Sequence, residues 1–326
     1  MLKKIDWESQ IGRRLKMRDL HVFFTVVQRG SMGKAAIDLG VSPPTISEVI
    51  AELEHCVGVR LLDRSPQGVE PTVYGEALLK RSLAAFDELK QGIRDIEFLS
   101  DPASGELRIG CPEGTTAILP PIIEGFFRQY PRVVLHVDPT ETGTLELPGL
   151  RERKLDLVLG RVSTPTIGNE LADDLNVEVL FDDRLLVVAG MHSRWARRRK
   201  IDLAELVNEP WILGAPDSGP YRIVSEAFRG RGLNMPNLSL VTSSVYLRTN
   251  MAASGQFITT SPSSDVRFCT DRLSLKVLPV NLPMRPWPLA IVTLKNRMLS
   301  PVVARFIEHV RDFTRPMRGS ASSRRR

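Results

Sequence analysis

Two short helical patterns joined by LGVSPP, within residues 31–57, constrain the fold more than any other feature of this 326-residue chain. Ser31 can cap the first helix, and Gly40 suits the left-handed conformation that commonly ends one. Ser42 can cap the second helix, and Pro43 fits its first turn because no N–H is needed there. Two helices joined by such a turn form a helix-turn-helix.

A helix before this pair and a hairpin after it complete a small domain, which we place at residues 17–71. The first helix is predicted from apolar residues at i, i+3, i+4 and i+7, namely Leu20, Phe23, Phe24 and Val27. Past Cys56, the extended pieces VRLLDR and VEP flank SPQG, whose Pro and Gly occupy preferred turn positions. The hairpin is a wing, so we predict an all-α winged helix-turn-helix domain.

The second helix of a helix-turn-helix enters the major groove of double-stranded DNA with its N-terminal residues against the bases. With the apolar face of this helix turned inward, the outward residues at its start are Ser42, Pro43, Pro44, Thr45, Ser47 and Glu48. Their hydroxyl and carboxylate groups can bond base edges, and the helix N-terminus can attract a phosphate. We expect Ser31 and Lys34 on the preceding helix, and Arg64 in the wing, to contact the DNA backbone.

One long helical pattern follows, and we assign residues 72–102 to a linker helix. Its apolar residues recur every three or four positions, at Leu79, Leu83, Phe86, Leu89, Ile93 and Ile96. A helix of about 29 residues is roughly 43 Å long at 1.5 Å per residue. A domain of 70 residues cannot cover such a stripe, so we predict that it pairs with a second copy of the chain.

Residues 103–315 alternate strand and helix patterns, which is typical of parallel sheets with crossover helices. ELRIGC, VVLHVD and LDLVLGRV read as strands of one lobe, with helices expected near 116–130 and 144–153. LLVVAG, WILGA, LSLVTS, QFITTSP and PLAIVTL read as further strands, with helices near 220–229, 245–254 and 300–314. We therefore predict an α/β domain of two lobes.

The run RDLHVFFTVVQRGSMGKAAIDLGVSPPTISEVIAELEHCVGVRLLDRS resembles the N-terminal domain of the LysR-type transcriptional regulators. The order of winged helix-turn-helix, linker helix and GELRIG opening a two-lobed domain extends the resemblance over about residues 17–315. The resemblance implies promoter DNA as target, a homo-dimer or tetramer, contact with RNA polymerase, and a small effector between lobes like those of periplasmic solute-binding proteins. Pro43 stands where the family typically has Gln, and Glu48 where Arg or Lys is common, so base preference cannot be copied.

Ligands of two-lobed α/β domains lie at the carboxyl ends of strands and at helix N-termini. The predicted effector-binding residues occupy such positions, and they are Thr115, Thr116, Thr142, Thr144, Arg161 and Ser218. The resemblance also places an effector-contacting hydroxyl in CPEGTTA. Hydroxyls with one Arg suit a small organic acid, whereas Glu113 would repel an anion and keeps a neutral, sugar-like polyol open.

Sequence patterns of common enzyme sites do not occur: G-x-S-x-G, G-x-x-x-x-G-K and G-x-G-x-x-G are all missing from the chain. The five histidines form no i, i+4 pair, and the three cysteines match no metal or disulfide spacing. We therefore expect no catalytic residue, no metal and no cofactor. The remaining alternative is a solute-binding protein whose N-terminal helices serve only for dimerisation.

The net charge of +6 does not by itself indicate nucleic-acid binding, because its location matters. Five arginines and no acid follow Phe313, whereas residues 1–72 hold 10 Lys and Arg against 9 Asp and Glu. We interpret residues 316–326 as a basic, disordered tail. No run of about 18 apolar residues is present and the charged N-terminus lacks the apolar segment of a secretion signal, so we expect a cytoplasmic protein without membrane contacts.

Overall fold

A computed structural model describes residues 14–66, 68–142, 145–162, 173–283 and 287–318, without the side chains of residues 269–273. Internal contacts divide it into two compact units, one ending at Gly92 and one beginning at Ile93. The predicted tail, apart from its first three residues, and Thr144 lie outside the described residues. The two units are described separately below.

The first unit is a helix-turn-helix with a two-stranded wing. Its elements are α1 (Met17–Arg29), α2 (Met32–Leu39), α3 (Pro43–Val57), β1 (Leu62–Ser65), β2 (Gly68–Pro71) and the larger part of α4 (Val73–Ser100). Gly40 ends α2 in the left-handed conformation, as the sequence predicted. The predicted apolar face of α3 is buried at Ile46, Ile50 and Leu53, with Val49 partly buried in the same core.

Glu54 fastens α3 to the wing, a contact that the sequence patterns did not indicate. Its Oε1 accepts the backbone N–H groups of Leu61 at 2.8 Å and Leu62 at 3.1 Å. Val69 of β2 donates its N–H to the carbonyl of Gly30 at 2.9 Å, which fixes the wing against the turn between α1 and α2. The helix pair and the wing therefore form one structure.

Helix α4 begins against the wing and continues beyond the first unit. Thr72 caps it by accepting the N–H of Gly75 at 3.1 Å. Further along, the predicted apolar stripe is exposed at Leu89, Ile93 and Ile96, with solvent-exposed fractions of 58%, 59% and 65%. Among the described residues, no helix has both the length and the apolarity required to cross a membrane.

The second unit contains two mixed sheets of five described strands each. The first sheet has the order β4-β3-β5-β12-β6, and its strands are β3 (Ser104–Cys111), β4 (Arg132–Pro139), β5 (Leu157–Arg161), β6 (Leu175–Asp183) and β12 (Trp287–Leu294). Helices α5 (Leu119–Gln129) and α10 (Pro301–Thr314) cover it, with Phe126 and Phe306 packed edge to face. As predicted, β3 pairs in parallel with β4 and β5, while β12 runs antiparallel to its neighbours. We call this the first lobe.

The second lobe is built on the sheet β11-β7-β10-β8-β9. Its strands are β7 (Leu185–Gly190), β8 (Trp211–Leu213), β9 (Leu238–Val241), β10 (Ile258–Pro262) and β11 (Leu275–Val277). Its helices are α7 (Gly219–Arg229), α8 (Val245–Ala253) and α9 (Ser263–Leu273). Trp211 and Phe228 pack edge to face in its core.

Two expectations about helices fail in the second unit. The helix predicted near 144–153 is only α6 (Pro148–Arg151), since Leu145, Leu147 and Arg153 adopt positive φ angles that a right-handed helix does not contain. Helix α9 was not predicted, although it follows directly from the strand recognised in QFITTSP. The second difference matters for the candidate site described below, since α9 contributes the buried polar residues Ser264 and Asp265 to it.

Two glycines of α4 give opposite stability predictions. Gly75→Ala should destabilise the first unit by more than about 1 kcal/mol, because its Cβ would lie 2.1 Å from the carbonyl oxygen of Leu61, an overlap that forces the backbone to move. Gly92→Ala meets nothing within 4 Å, and should stabilise the helix by about 0.5–1 kcal/mol. Urea unfolding of both variants, monitored by circular dichroism, checks this pair. Equal effects of the two substitutions would contradict the close approach of α4 to Leu61.

Candidate functional site

The start of α3 is arranged as the sequence predicted. Ser42 caps the helix by accepting the N–H of Thr45 at 3.4 Å, and the hydroxyls of Ser42 and Thr45 are 2.9 Å apart. Ser42, Pro43, Pro44 and Glu48 are exposed, and Thr45 is half-buried. Ser47 is partly buried and donates to the sulfur of Met32 at 3.6 Å, so it faces α2 more than solvent.

A phosphate at the N-terminus of α3, expected above, does not fit the hydrogen bonds of this helix start. Pro43 and Pro44 have no N–H. The N–H of Thr45 is accepted by the Ser42 side chain, and that of Ile46 by the Ser42 carbonyl at 3.3 Å. The first backbone donors of α3 are therefore missing or already used.

The cations predicted to contact a phosphate backbone lie on other elements. Lys34 is exposed in the first turn of α2, where Ser31 caps the helix through the Lys34 N–H at 3.5 Å. Arg64 is exposed on β1. Arg29, in contrast, forms an ion pair with Asp38. The surface of the first unit thus offers hydroxyls at the start of α3 and exposed cations on α2 and the wing.

A buried guanidinium dominates the second candidate site, between the two lobes. Arg161, at the end of β5, is 4% exposed. Its Nε donates to Asp183 at 2.9 Å, and its Nη1 donates to the Gly114 carbonyl at 2.5 Å and the Thr115 hydroxyl at 3.1 Å. Its Nη2 donates to Ser264 at 2.7 Å and Asp265 at 2.9 Å. Every N–H of Arg161 is therefore used within the protein, which leaves none for a ligand in this arrangement.

Two carboxylates compete for the single charge of Arg161. Burial works to raise the pKa of Asp183, but the Arg161 charge and the hydroxyls of Ser263 and Ser264 outweigh it, and this pKa is lowered. Burial raises the pKa of Asp265 to about 6 despite Arg161, and the neighbouring Asp183 charge adds to the rise. Asp183 is thus the principal counter-ion of Arg161.

The other predicted effector residues separate into buried and accessible groups. Thr115 is 1% exposed against Arg161, and Thr142 is 6% exposed with its hydroxyl donating to the Arg161 carbonyl at 2.8 Å. Thr116 is exposed and donates to the carbonyl of Glu113 at 2.7 Å. Ser218 is half-buried and caps α7 by accepting the N–H of Tyr221 at 3.4 Å.

The two lobes meet at residues that the sequence patterns did not single out as ligand contacts. Glu113 of the first lobe accepts the N–H of Val245, at the start of α8 in the second lobe, at 2.9 Å. The ring of Trp287 lies under the Arg161 guanidinium, 5.2 Å from its carbon, and a Cβ on Gly219 would be 3.0 Å from the same ring. The starts of α7 and α8 in the second lobe therefore contact Trp287 and Glu113 of the first lobe.

Metal and thiol chemistry has little support at either site. In the described part of the chain, no group of three or more His, Cys, Asp or Glu side chains is placed to hold a metal ion. Burial raises the pKa of the Cys111 thiol to about 12, so this thiol stays protonated and unreactive. Cys111 is buried in the core of the first lobe.

Removing the counter-ion of Arg161 should be costly. Asp183→Asn leaves a buried guanidinium with its main charge partner gone, so we expect a loss of about 3–5 kcal/mol in the free energy of unfolding. Asp312→Asn removes one side of an exposed i, i+3 pair with Arg315 and serves as the control with little effect. Denaturant unfolding of the two variants measures this difference. A loss as small as that of the control would show that Arg161 does not depend on Asp183.

Asp265 should leave a signature in the pH dependence of stability. Its pKa is about 6 in the folded protein against 3.8 in the unfolded chain, so between these values the folded state binds more protons. The contribution of Asp265 to stability therefore falls as pH rises from about 4 to about 6 and is constant above that range.

The variant Asp265→Asn cannot ionise, so it should gain stability relative to the parent protein across that interval. Urea unfolding of both proteins between about pH 4.5 and about pH 6.5 measures the difference. A difference that does not change with pH would rule out the raised pKa.

The chain matches two family descriptions that together cover most of its length. Residues 17–76 match the bacterial regulatory helix-turn-helix proteins of the lysR family, and residues 100–315 match the LysR substrate binding domain. Among curated proteins, the uncharacterized HTH-type transcriptional regulator YdcI of Escherichia coli strain K12 is 28% identical over 287 residues, which are 87% of this chain and 91% of YdcI.

Solved structures show the same fold. Full-length OxyR from Pseudomonas aeruginosa has a TM-score of 0.62 at 24% identity, covering 92% of this chain and 95% of that chain. Full-length CbnR in complex with its target DNA has a TM-score of 0.51 at 20% identity, covering 92% of this chain and all of that chain (100%). The order of the helix-turn-helix, long helix and two-lobed domain is therefore common to these proteins.

Proposed function

The chain belongs to the LysR family of bacterial helix-turn-helix regulators, and from that membership we propose a function for each of its two candidate sites, the start of α3 and the region between the lobes. The family makes it a DNA-binding transcriptional regulator with a substrate-binding effector domain. We propose that the start of α3 reads a promoter, that α4 mediates self-association, and that a small molecule between the lobes controls activity. The observation that carries this is the capped start of α3. The helix exposes polar groups on one face and buries its apolar residues on the other.

The proposed DNA contacts fall into two kinds. Thr45 and Glu48 are the base-reading side chains, since a Thr hydroxyl can hydrogen-bond a base edge and a carboxylate can accept from a cytosine amine. Lys34 and Arg64 neutralise phosphates without reading sequence. The surface between the base-reading and the phosphate-contacting residues is formed by Ser31, Ser42, Pro43, Pro44 and Ser47. CbnR, whose fold this chain shares, is known in complex with its target DNA, which supports the assignment.

Self-association through α4 is supported by its uncovered apolar side chains. Leu99, at the end of the helix, is 79% exposed and continues the stripe of Leu89, Ile93 and Ile96. Such a stripe at helical spacing is buried when a second helix packs on it. We propose a homo-dimer built on α4, which larger assemblies such as a tetramer would contain.

The effector domain is proposed to act by binding, without chemistry on its ligand. Thr116 and Ser218 are the accessible members of the predicted set and could contact a ligand directly. The buried residues Thr115, Thr142 and Arg161 would instead hold the cleft walls in place. Ligand binding would change the contacts of the regulator with promoter DNA or RNA polymerase. The alternative of a solute-binding protein that only dimerises is not favoured, because the N-terminal residues match the regulatory helix-turn-helix family.

Thr45→Val should lower the affinity for the specific duplex by about tenfold or more, because one base contact contributes about 1–3 kcal/mol of discrimination. Fluorescence anisotropy of the full-length protein against duplexes tiling the region upstream of its own gene measures this loss. Binding to a scrambled duplex should not change, since the lost hydroxyl reads bases rather than phosphates.

Lysine variants supply the contrast in the same titration. Lys34→Gln should weaken binding to specific and scrambled duplexes alike and reduce the slope of affinity against salt by about one. Lys90→Gln, an exposed lysine of α4, is the matched control with neither effect. If Thr45→Val leaves the ratio of specific to scrambled affinity unchanged, the start of α3 is not the reading surface.

A further inference from the structure

A second buried guanidinium lies in the cleft, and its environment differs from that of Arg161. Arg248, on α8, is 7% exposed. Its Nε is buried and has no hydrogen-bond partner. Within the described residues, no hydrogen bond or ion pair reaches its guanidinium. Burial lowers the pKa of Arg248, and the Glu113 and Asp265 charges oppose that shift only from a distance.

The guanidinium points to the place where the helix starts of the two lobes converge. A Cβ built on Gly214 would lie 3.2 Å from Nη1 of Arg248 and 2.6 Å from the hydroxyl of Ser218. Gly214 therefore lies against both the guanidinium and the cap of α7, and its lack of a Cβ allows these two side chains to approach each other. On the other side, Glu113 accepts the N–H of Val245, one helical turn before Arg248. The unpaired cation is thus part of the cleft wall itself.

An unpaired buried charge is expensive. Removing a cation from water costs several kcal/mol that only a paired anion or full hydrogen bonding offsets. Arg161 has that compensation from Asp183 and Asp265, whereas Arg248 does not. An anion bound beside Ser218 would supply this compensation for Arg248.

We propose that Arg248 binds a carboxylate group of the effector, with Ser218, which Gly214 allows to lie near the guanidinium, giving a further hydrogen bond. This assignment rests on the proposed function, since it names the ligand class of the same cleft. The planar guanidinium fork matches a carboxylate in a bidentate pair. A neutral, sugar-like ligand would leave the buried charge uncompensated.

The neighbouring acids favour a singly charged group over a phosphate. Glu113 and Asp265 both place negative charge within electrostatic range of Arg248. A phosphate carrying about two charges would be repelled more strongly than a carboxylate carrying one. Glu113 itself is held by the N–H of Val245, where the positive end of α8 reduces its repulsion. A small organic acid is therefore the ligand class that this geometry favours.

Thermal unfolding of the full-length protein tests the assignment with named probes. The carboxylates are acetate, pyruvate, benzoate and succinate, the neutral isosteres are acetamide and benzamide, and the competing anions are inorganic phosphate and sulfate. Arg248→Met removes the charge at similar length, and Arg248→Lys keeps the charge without the fork. Gly214→Ala forces the Ser218 and Arg248 side chains apart while keeping the arginine. Arg229→Met, an exposed arginine of α7, is the matched control.

We expect at least one carboxylate to raise the Tm by about 5 °C near saturation, and its neutral isostere to have no effect. The shift should disappear in Arg248→Met, decrease in Arg248→Lys and Gly214→Ala, and persist in Arg229→Met. Without ligand, Arg248→Met should melt higher than the parent protein, because an uncompensated charge has been removed.

Three results would overturn the carboxylate assignment: no stabilisation by any carboxylate of the panel, a shift that survives in Arg248→Met, or equal shifts with the neutral isosteres. A shift with phosphate or sulfate alone would equally replace a carboxylate by another anion. Promoter binding by anisotropy, measured on the parent protein, separates this outcome from the proposed function. Absence of specific DNA binding would reject the regulator, whereas specific DNA binding without any carboxylate shift would reject only the ligand class.

Discussion

The ion-pair cluster around Arg161 is the interaction on which the two-lobed domain depends. Its members come from the end of β5, the end of β6 and the start of α9, the places where the chain leaves or enters a lobe. Asp183 directly precedes the crossing into β7, and its Oδ1 accepts the N–H of Arg184 within that crossing, at 2.9 Å. Burying this charge is favourable only because each guanidinium N–H has an acceptor. The cluster thus fixes the places where the chain passes between the lobes, and it leaves the residues of the cleft walls free to contact a ligand.

Two of the buried arginines, Arg161 and Arg248, show what the sequence could and could not indicate. Sequence reasoning chose Arg161 for the effector because it ends a strand at the cleft, and the structure gives it five protein acceptors. Arg248 lies in the middle of a helix pattern, in VYLRTNMAA, where an arginine is ordinarily a solvated residue. Its burial depends on residues near 113 and 214, far away in the sequence. Whether an arginine is satisfied or unpaired is a tertiary property that no local pattern contains.

Local signals predicted the DNA-binding unit better than the effector domain. Ser31, Gly40 and Ser42 act within a few residues of themselves, so caps and helix ends could be inferred from the sequence alone. Helix α9 was missed because it begins with Ser263, Ser264 and Asp265, which bond within the Arg161 cluster, and these polar residues weaken its apolar periodicity. The helix near 144–153 was overestimated because positive φ angles at leucines have no sequence signature. The contact of Glu54 with the wing likewise joins elements that local patterns treat separately.

The contrast between Arg161 and Arg248 also bears on how ligand binding could change the conformation of the effector domain. Arg161 is compensated in the ligand-free protein, so it gains nothing further from an anion. Arg248 is uncompensated, and in our proposal a bound carboxylate recovers electrostatic energy from Arg248 and Ser218, which both belong to the second lobe. A ligand shifts a conformational equilibrium only by its difference in affinity between states. Binding of the carboxylate alone would therefore not favour one arrangement of the lobes, and the coupling would have to come from contacts of the rest of the ligand with the first lobe near Glu113, which bonds to the start of α8.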